Sequence, residues 1–218
     1  NISTLAHELG HAFHSYALRP VHVLNRSYAM NVAETASTFA EMIVSDAAVQ
    51  AATTKVEKLN LLEDKVQRSV AFFMNIHARF LFETRFYEER KAGIVSAKRL
   101  NELMYEAQHE AFGEALGEAH PHFWASKMHF YITGVPFYNF PYTFGYLFSL
   151  SIYAHAQQQG TSFEQKYMAL LRDTAVMTVE ELAMKHLGED ITTLDFWEKG
   201  IALCVADVEA FIQLIQQG

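Results

Sequence analysis

Two histidines four residues apart, with a glutamate directly after the first, form the pattern H-E-x-x-H at His7, Glu8 and His11. Residues four apart on an α-helix lie on one face, so the two imidazoles can hold one Zn²⁺ ion. Glu8 then lies close enough to accept a proton from a zinc-bound water. The spacing therefore predicts metal-assisted hydrolysis, with Glu8 as the general base.

A helix is expected around this motif because residues 4–18 contain alanine, leucine and phenylalanine but no proline. Ser3 or Thr4 could cap its amino terminus. A catalytic zinc usually takes three protein ligands and keeps one position for water, so the two histidines need a partner. The extended pattern H-E-x-x-H-x-x-G-x-x-H does not supply it, because His14 and Ala17 occupy the positions of its glycine and third histidine.

A carboxylate on a second helix is the remaining candidate for the third ligand, and Glu34 supplies it. It follows His11 by 23 positions, and residues 18–30, which include Pro20, leave room for the chain to reverse. The neighbours of Glu34 are mostly apolar, which favours an acid that faces inward. Glu41 lies seven residues further on the same helix face and could hydrogen-bond a ligand histidine. The alternative is that Glu34 is an ordinary exposed helix carboxylate.

Three blocks of the chain resemble a known family. They are residues 4–14 (T-L-A-H-E-L-G-H-A-F-H), residues 33–41 (A-E-T-A-S-T-F-A-E) and residues 129–146 (H-F-Y-I-T-G-V-P-F-Y-N-F-P-Y-T-F-G-Y). In these blocks the chain resembles the M3 metallopeptidases, and oligoendopeptidase F most closely among them. The zinc motif alone occurs in many peptidases, whereas its combination with the glutamate helix and the tyrosine-rich block is far more selective.

The resemblance implies zinc-dependent cleavage of short peptides at internal bonds. It implies one zinc ion per chain, with His7, His11 and Glu34 as the ligands and Glu8 as the general base. The implied fold is an all-α, multi-helical catalytic domain of the zincin type. In that fold the H-E-x-x-H helix and a second ligand helix form one wall of a peptide-binding channel.

The resemblance also implies that His129 and a tyrosine downstream of it stabilise the tetrahedral intermediate. Tyr138 and Tyr142 are the preferred tyrosines, because they are spaced one helical turn apart and match the family's pair. Tyr131 and Tyr146 remain alternatives for this role.

Members of this family are much longer than this chain, and their zinc motif lies well past the middle. The resemblance therefore implies that residues 1–218 form a carboxyl-terminal catalytic region and that the amino-terminal half is absent. In the family that half forms the opposite wall of the channel. It is therefore an expected partner, alongside the short peptide substrates.

The composition indicates which further partners and which cellular compartment to expect. Half of the 218 residues are apolar, which is enough for a sizeable core in one or two domains. A net charge of -8 argues against binding to nucleic acid, which would need a basic face. Cys204 is the single cysteine and lies in an apolar helical run, so we expect a buried thiol in a reducing, cytoplasmic compartment.

Residues 130–163 contain no Asp, Glu, Lys or Arg, which raises the question of a membrane span. Pro136, Asn139 and Pro141 interrupt this stretch, and its tyrosines are spread through the middle rather than gathered at two interfaces. We therefore predict a buried, aromatic-lined cleft wall that leads into a core helix, and no membrane segment.

The periodicity of the apolar residues indicates helices throughout, and no alternating stretch is long enough for a strand. The longest helix, at 55–91, carries apolar positions and one histidine at three- and four-residue steps: Leu59, Leu62, Val66, Val70, Phe73, His77 and Phe80. The predicted helices are 3–18, 29–52, 55–91, 96–117, 143–159, 162–173, 178–187 and 193–216.

Two other functions share these sequence features. A helical module could bind zinc or peptides without hydrolysing them. Against it, a purely structural zinc normally closes its fourth position with a protein ligand, and Glu8 would then have no use. A thermolysin-like protease that acts on folded proteins would share the zinc chemistry and differ in the size of its substrate.

Overall fold

The computed structural model describes residues 2–217, and this part of the chain forms helices and turns with no strand. The predicted all-α, multi-helical class is confirmed. No helix among these residues is both long enough and apolar enough to cross a membrane. The α-helices are, in chain order, α1 (Ile2–Ala17), α2 (Thr35–Ala51), α3 (Lys55–Val70), α4 (Ile76–Arg90), α5 (Ala97–Phe112), α6 (Phe140–Gln159), α7 (Phe163–Asp173), α8 (Val179–Leu187) and α9 (Leu194–Gln216).

The chain divides into two compact units. The first unit contains the residues up to Gln67 and those from Phe144 onward, and the second spans Arg68–Thr143. Each unit has its own apolar core, as the burial of large side chains requires. The core of the first unit includes Phe148, Ile152, Leu170, Leu171, Leu182 and Phe196. The core of the second unit includes Phe82, Leu103, Met104 and Ala107.

The second ligand helix begins later than the sequence predicts. Instead of a helix from residue 29, the chain makes a 3₁₀ turn at Met30–Val32, and α2 begins only at Thr35. Glu34 is the residue that caps this helix, with φ -89° and ψ 2°, and its carbonyl oxygen accepts the first helical hydrogen bond from Thr38 N at 3.0 Å. The side chain of Glu34 therefore leaves the chain at the start of α2 rather than from its middle.

The predicted helix at 55–91 is divided by a π-helical turn at Ala71–Asn75. A π turn holds about one residue more than an α-helical turn, so it rotates the helix face that follows by about 100°. The apolar stripe counted along the sequence loses its register at this point. His77 and Phe80, which the stripe would bury, are exposed, whereas Phe82 is buried.

Two glycines allow helices to approach the start of α2 closely. A Cβ atom on Gly10 of α1 would lie 2.4 Å from Ala36 O and 2.5 Å from Ser37 Cα. A Cβ atom on Gly145 of α6 would lie 2.9 Å from Glu34 Cβ. Because separations of this kind are below ordinary contact distance, only glycine fits at these positions without movement of the backbone.

A partly buried ionic network fixes α2 against three other helices of the first unit. Lys65 Nζ of α3 lies 2.6 Å from Asp46 Oδ1 of α2 and 2.6 Å from Asp207 Oδ1 of α9. Tyr153 of α6 donates to Asp46 Oδ2 at 2.8 Å. Burial lowers the pKa of Lys65, but the hydrogen bonds to the two carboxylates outweigh burial and raise the pKa above its usual value.

Replacing Gly10 by alanine is expected to lower the free energy of unfolding by about 2 kcal/mol, even though alanine is the better helix former. The added methyl group must displace the backbone at Ala36 and Ser37. Urea unfolding followed by circular dichroism measures the change.

Gly117 provides the matched control for this substitution, because a Cβ atom there has no heavy atom within 4 Å. Gly117→Ala is expected to leave the unfolding midpoint nearly unchanged. Equal stability of the Gly10→Ala and Gly117→Ala variants would contradict the close contact between α1 and α2.

Candidate metal centre

His7, His11 and Glu34 bring three potential metal-ligating atoms together in the first unit. His7 Nε2 lies 3.2 Å from His11 Nε2. Glu34 Oε2 lies 3.4 Å from His7 Nε2 and 3.5 Å from His11 Nε2. Among residues 2–217, no other group of three His, Cys, Asp or Glu side chains is close enough to share an ion.

The three separations fit the donor atoms of a tetrahedral zinc site. Ligand atoms at about 2.0–2.1 Å from zinc, separated by the tetrahedral angle, lie about 3.3 Å from one another. The side chains of His7, His11 and Glu34 are 29%, 32% and 19% exposed, so solvent reaches the group. Two imidazoles and one carboxylate with solvent access form the kind of donor set that catalytic zinc ions use.

Glu41 of α2 sets the orientation and the tautomer of His7. Its Oε1 lies 2.5 Å from His7 Nδ1. A carboxylate can only accept a hydrogen bond, so Nδ1 carries the proton and the lone pair is on Nε2, the atom that faces His11 and Glu34. A carboxylate behind a histidine in this way holds the ring in place and makes it a more basic ligand.

Hydroxyl groups hold Glu34 in position. The Ser37 hydroxyl lies 2.7 Å from Glu34 Oε2, to which it donates. The Thr38 hydroxyl lies 2.6 Å from the Glu34 carbonyl oxygen, and Ser149 of α6 donates to Thr35 O at 2.6 Å. These contacts fix both the backbone and the carboxylate of Glu34 before any ion binds.

Glu8 is exposed to solvent, whereas His7 before it is half-buried. It makes no hydrogen bond and no ion pair with any of residues 2–217. Its position directly after His7 on α1 leaves its carboxylate available to water and to a substrate. The site therefore contains one acid that is held firmly, Glu34, and one that is free, Glu8.

His14 is packed inside the first unit and is not part of the metal-ligating group. It is fully buried, its Nε2 lies 2.9 Å from Thr174 Oγ1, and its ring stacks on Tyr28 with 4.2 Å between the centroids. Burial lowers its pKa to about 4; the backbone of Leu171 partly opposes this shift, and the charge of His11 adds to it. His14 is therefore a neutral core side chain near pH 7.

His129, Tyr138 and Tyr142 come together in the second unit. The ring of His129 lies 5.3 Å from the ring of Tyr138 and 5.9 Å from that of Tyr142, centroid to centroid. The two tyrosine rings are 6.0 Å apart. The prediction that the tyrosines are spaced by one helical turn is wrong, because Tyr142 lies in the first turn of α6 whereas Tyr138 precedes the helix.

His129 is held in its neutral form. Burial lowers its pKa, and the positive charges of Arg79 and Lys127 lower it further. Its Nδ1 atom is buried and has no hydrogen-bond partner within the described part of the chain. A neutral imidazole beside two phenols can donate one hydrogen bond and accept another.

The alternative tyrosines have different surroundings. Tyr146 is only 4% exposed, and its hydroxyl lies 3.7 Å from Cys204 Sγ, inside the first unit. Tyr131 is 58% exposed, and its hydroxyl donates to Ala125 O at 3.4 Å. Neither of them has a ring contact with His129 such as Tyr138 and Tyr142 make. The expectation of a buried thiol at Cys204 is met.

Sequence reasoning did not identify Ser37, Gly10 and Gly145 as parts of the site. Ser37 lies three residues after Glu34, the spacing at which a helix-start hydroxyl reaches back to the capping residue. A glycine inside a helical run, such as Gly10 within H-E-L-G-H, signals close approach of another backbone. Both signals were present in the sequence, but neither names the partner residue.

Comparison with known proteins identifies the family of the chain. The model of peptidase family M3 matches residues 1–203. The chain therefore belongs to peptidase family M3, as its three sequence blocks predict.

The curated relatives are oligoendopeptidases. The chain is 26% identical over 225 aligned residues to the oligoendopeptidase F homolog of Lactococcus lactis subsp. lactis, and 25% identical to the plasmid-encoded oligoendopeptidase F of Lactococcus lactis subsp. cremoris. Each alignment covers 100% of this chain and 36% of the relative. The chain thus spans about a third of the length of the curated relatives that it matches.

Two crystal structures share the fold. One is from Chlamydophila abortus and is provisionally described as a peptidase; it has a TM-score of 0.85 and 22% identity, over 98% of this chain and 36% of that one. The other is oligoendopeptidase-F from Enterococcus faecium, with a TM-score of 0.78 and 21% identity, over 99% of this chain and 39% of that one. At these identities the likeness establishes the fold alone.

Lowering the pH from 7 to 5 in the presence of a chelator is expected to remove about 2 kcal/mol of unfolding free energy through His14. The unfolded imidazole, with a pKa near 6.5, takes up a proton that the folded side chain does not accept until about pH 4. The loss therefore begins below pH 6.5 and is complete near pH 4. Urea unfolding of the wild type and of His14→Gln at both pH values isolates this contribution.

The exposed His77 serves as the control position for this experiment. His77→Gln should follow the wild-type pH dependence, whereas His14→Gln should lose less stability on acidification. Parallel losses in all three proteins would contradict a buried neutral His14.

Proposed function

We propose that this chain carries out zinc-dependent hydrolysis of internal bonds in short peptides. The observation that carries the proposal is the group of three donor atoms, separated by 3.2, 3.4 and 3.5 Å, beside an unpaired and exposed Glu8. Membership of peptidase family M3 supports a peptidase, and the oligoendopeptidase F relatives support short peptides as the substrate class.

The metal would be held by Nε2 of His7, Nε2 of His11 and Oε2 of Glu34. A zinc ion bound by two histidines and a carboxylate supplies a Lewis acid that activates water near pH 7 and polarises a carbonyl oxygen. Glu41 keeps His7 in the ligating tautomer, and Ser37 holds the carboxylate of Glu34. The preformed site means that little rearrangement is needed on binding.

Glu8 is the proposed general base. It accepts a proton from the attacking water as the bond to the scissile carbonyl carbon forms, and it then delivers that proton to the leaving amine. An exposed carboxylate with no competing partner is free for both transfers. If a fourth protein ligand closed the site, as in a structural zinc site, Glu8 would have no such task.

His129, Tyr138 and Tyr142 are proposed to stabilise the negative charge that develops on the carbonyl oxygen. Phenol hydroxyls and a neutral imidazole N–H are hydrogen-bond donors of the kind that oxyanion sites use. The support for this role is the contact of all three rings with one another and the suppressed protonation of His129.

Replacing Glu8 by glutamine is expected to preserve zinc binding and to reduce peptide hydrolysis by about 10²–10⁴-fold, because an amide cannot accept the proton. A quenched fluorescent peptide, with and without a chelator, measures the rate, and metal analysis gives the zinc content. The exposed Glu209 of α9 provides the matched control, and Glu209→Gln should retain the wild-type rate.

Chelator-sensitive cleavage that depends on Glu8 would support the proposal. Bound zinc without any cleavage by the wild type would favour instead the peptide- or zinc-binding module, or a catalytic region that is inactive by itself. Undiminished cleavage by Glu8→Gln would remove this residue from the mechanism.

Tyr138→Phe and Tyr142→Phe are each expected to lower kcat, by up to about 10²–10³-fold for the donor that contacts the oxyanion, with zinc content unchanged. Tyr105→Phe, at an exposed position of α5, is the control and should leave kcat unaltered. If neither tyrosine variant loses activity, the oxyanion donor must be sought elsewhere, with Tyr131 the next candidate.

A further inference from the structure

An aromatic pocket lies within the second unit. Its volume is about 240 Å³, and rings from α4, from the 3₁₀ turn at Phe123–Ser126 and from the segment at Phe130 and Tyr131 surround it. Tyr87 and Tyr131 are 38% and 58% exposed, so the pocket opens to solvent beside them. The lining residue that sets its chemistry is not aromatic: it is Glu83 of α4.

Glu83 is a buried acid with no counter-ion. The residue is only 3% exposed, and its carboxylate forms no ion pair with any of residues 2–217. Glu83 Oε1 accepts a hydrogen bond from Phe137 N at 2.8 Å, whereas Oε2 is buried without a partner. A buried carboxylate that is satisfied on one oxygen only is costly, so its retention calls for an explanation.

No basic side chain among residues 2–217 forms an ion pair with Glu83; Arg79, four residues earlier on α4, donates instead from Nη1 to Asn139 Oδ1 at 3.3 Å. Burial raises the pKa of its carboxyl, and the Phe137 N–H and the Asn139 side chain oppose that shift only in part. Asn139 Nδ2 is itself buried without a hydrogen-bond partner, so it does not satisfy Oε2 of Glu83. A cation entering the pocket would complete the site.

The walls of the pocket favour a cation over other ligands. Aromatic faces attract ammonium and guanidinium groups, and Trp is the strongest of them. Trp124 is fixed for such a contact, because its indole N–H donates to Asn101 Oδ1 at 2.8 Å. An anion would be repelled by Glu83, and a neutral apolar group would leave the carboxylate unpaired.

We infer that this pocket binds the positively charged side chain of a lysine or arginine in a peptide, with Glu83 as the counter-ion and the aromatic rings as the walls. The aliphatic stem of such a side chain packs along the rings while its charged end reaches the carboxylate. The choice of a peptide, rather than a free amine, rests on the proposed function.

NMR of the ¹⁵N-labelled 218-residue chain tests the inference without requiring hydrolysis. The chain has two tryptophans, and the indole N–H signal of Trp124 reports occupancy of the pocket while that of Trp197 serves as an internal reference. Three probes are titrated: N-acetyl-lysine methylamide, its neutral analogue without the ammonium group, N-acetyl-norleucine methylamide, and n-butylammonium. The lysine probe should shift the Trp124 signal and bind on the order of 10-fold more tightly than the norleucine probe.

Glu83→Gln keeps an oxygen for the Phe137 N–H and removes the charge, so its affinity for the lysine probe should fall on the order of 10-fold, to that of the norleucine probe. Glu88→Gln, on the exposed side of the same helix, is the matched control and should bind like the wild type. If Glu83→Gln does not fold, Tyr87→Leu decides instead, with an expected loss of about 2- to 5-fold for the lysine probe alone.

Equal binding of the lysine and norleucine probes, or full binding by a folded Glu83→Gln, would overturn the cation site. Binding of n-butylammonium without binding of the lysine probe would overturn the assignment to a peptide side chain. These outcomes are independent of the proposed hydrolysis. If the chain binds the lysine probe but cleaves no peptide, the inferred pocket stands and the proposed function is contradicted.

Discussion

The close contact between α1 and the start of α2 is the constraint on which the metal-ligating group depends. Gly10 places the α1 backbone against Ala36 and Ser37, and that contact brings two imidazoles above a carboxylate at the start of another helix. Glu34 reaches them because it caps α2 rather than lying inside it. Hydroxyls from Ser37, Thr38 and Ser149 and the carboxylate of Glu41 then hold Glu34 and His7 in place.

The polar groups of the second unit have different surroundings. Its polar groups lie among aromatic rings, and several of their atoms, such as Nδ1 of His129 and Oε2 of Glu83, have no partner within the described residues. Burial keeps His129 neutral and holds the pKa of Glu83 up. Unsatisfied buried groups destabilise a fold, so each of these atoms calls for an explanation.

Much of this could be predicted from the sequence, and the failures have physical causes. Periodicity and ligand spacing are local properties of the sequence. They predict the helix class, most helix ends and the grouping of His7, His11 and Glu34. The predicted start of α2 is wrong because apolar patterning does not encode the short-range hydrogen bonds from the hydroxyls of Ser37 and Thr38 to Glu34, which mark the true start of the helix. The pocket around Glu83 was invisible for a similar reason: its walls come from segments about 50 residues apart, and only folding brings them together.

The π-helical turn between α3 and α4 has a consequence for how this unit can change in evolution. Because the turn accommodates one additional residue, a deletion of a single residue within 71–75 would let an ordinary α-helix run through, and the residues beyond it would keep their present faces. Glu83 would still line the pocket and Phe82 would stay buried. A deletion of one residue within α4 itself has no such reserve, because it would turn the two parts of the helix by about 100° relative to each other. The turn is therefore the place where this long helical segment can lose a residue without changing which side chains face the core.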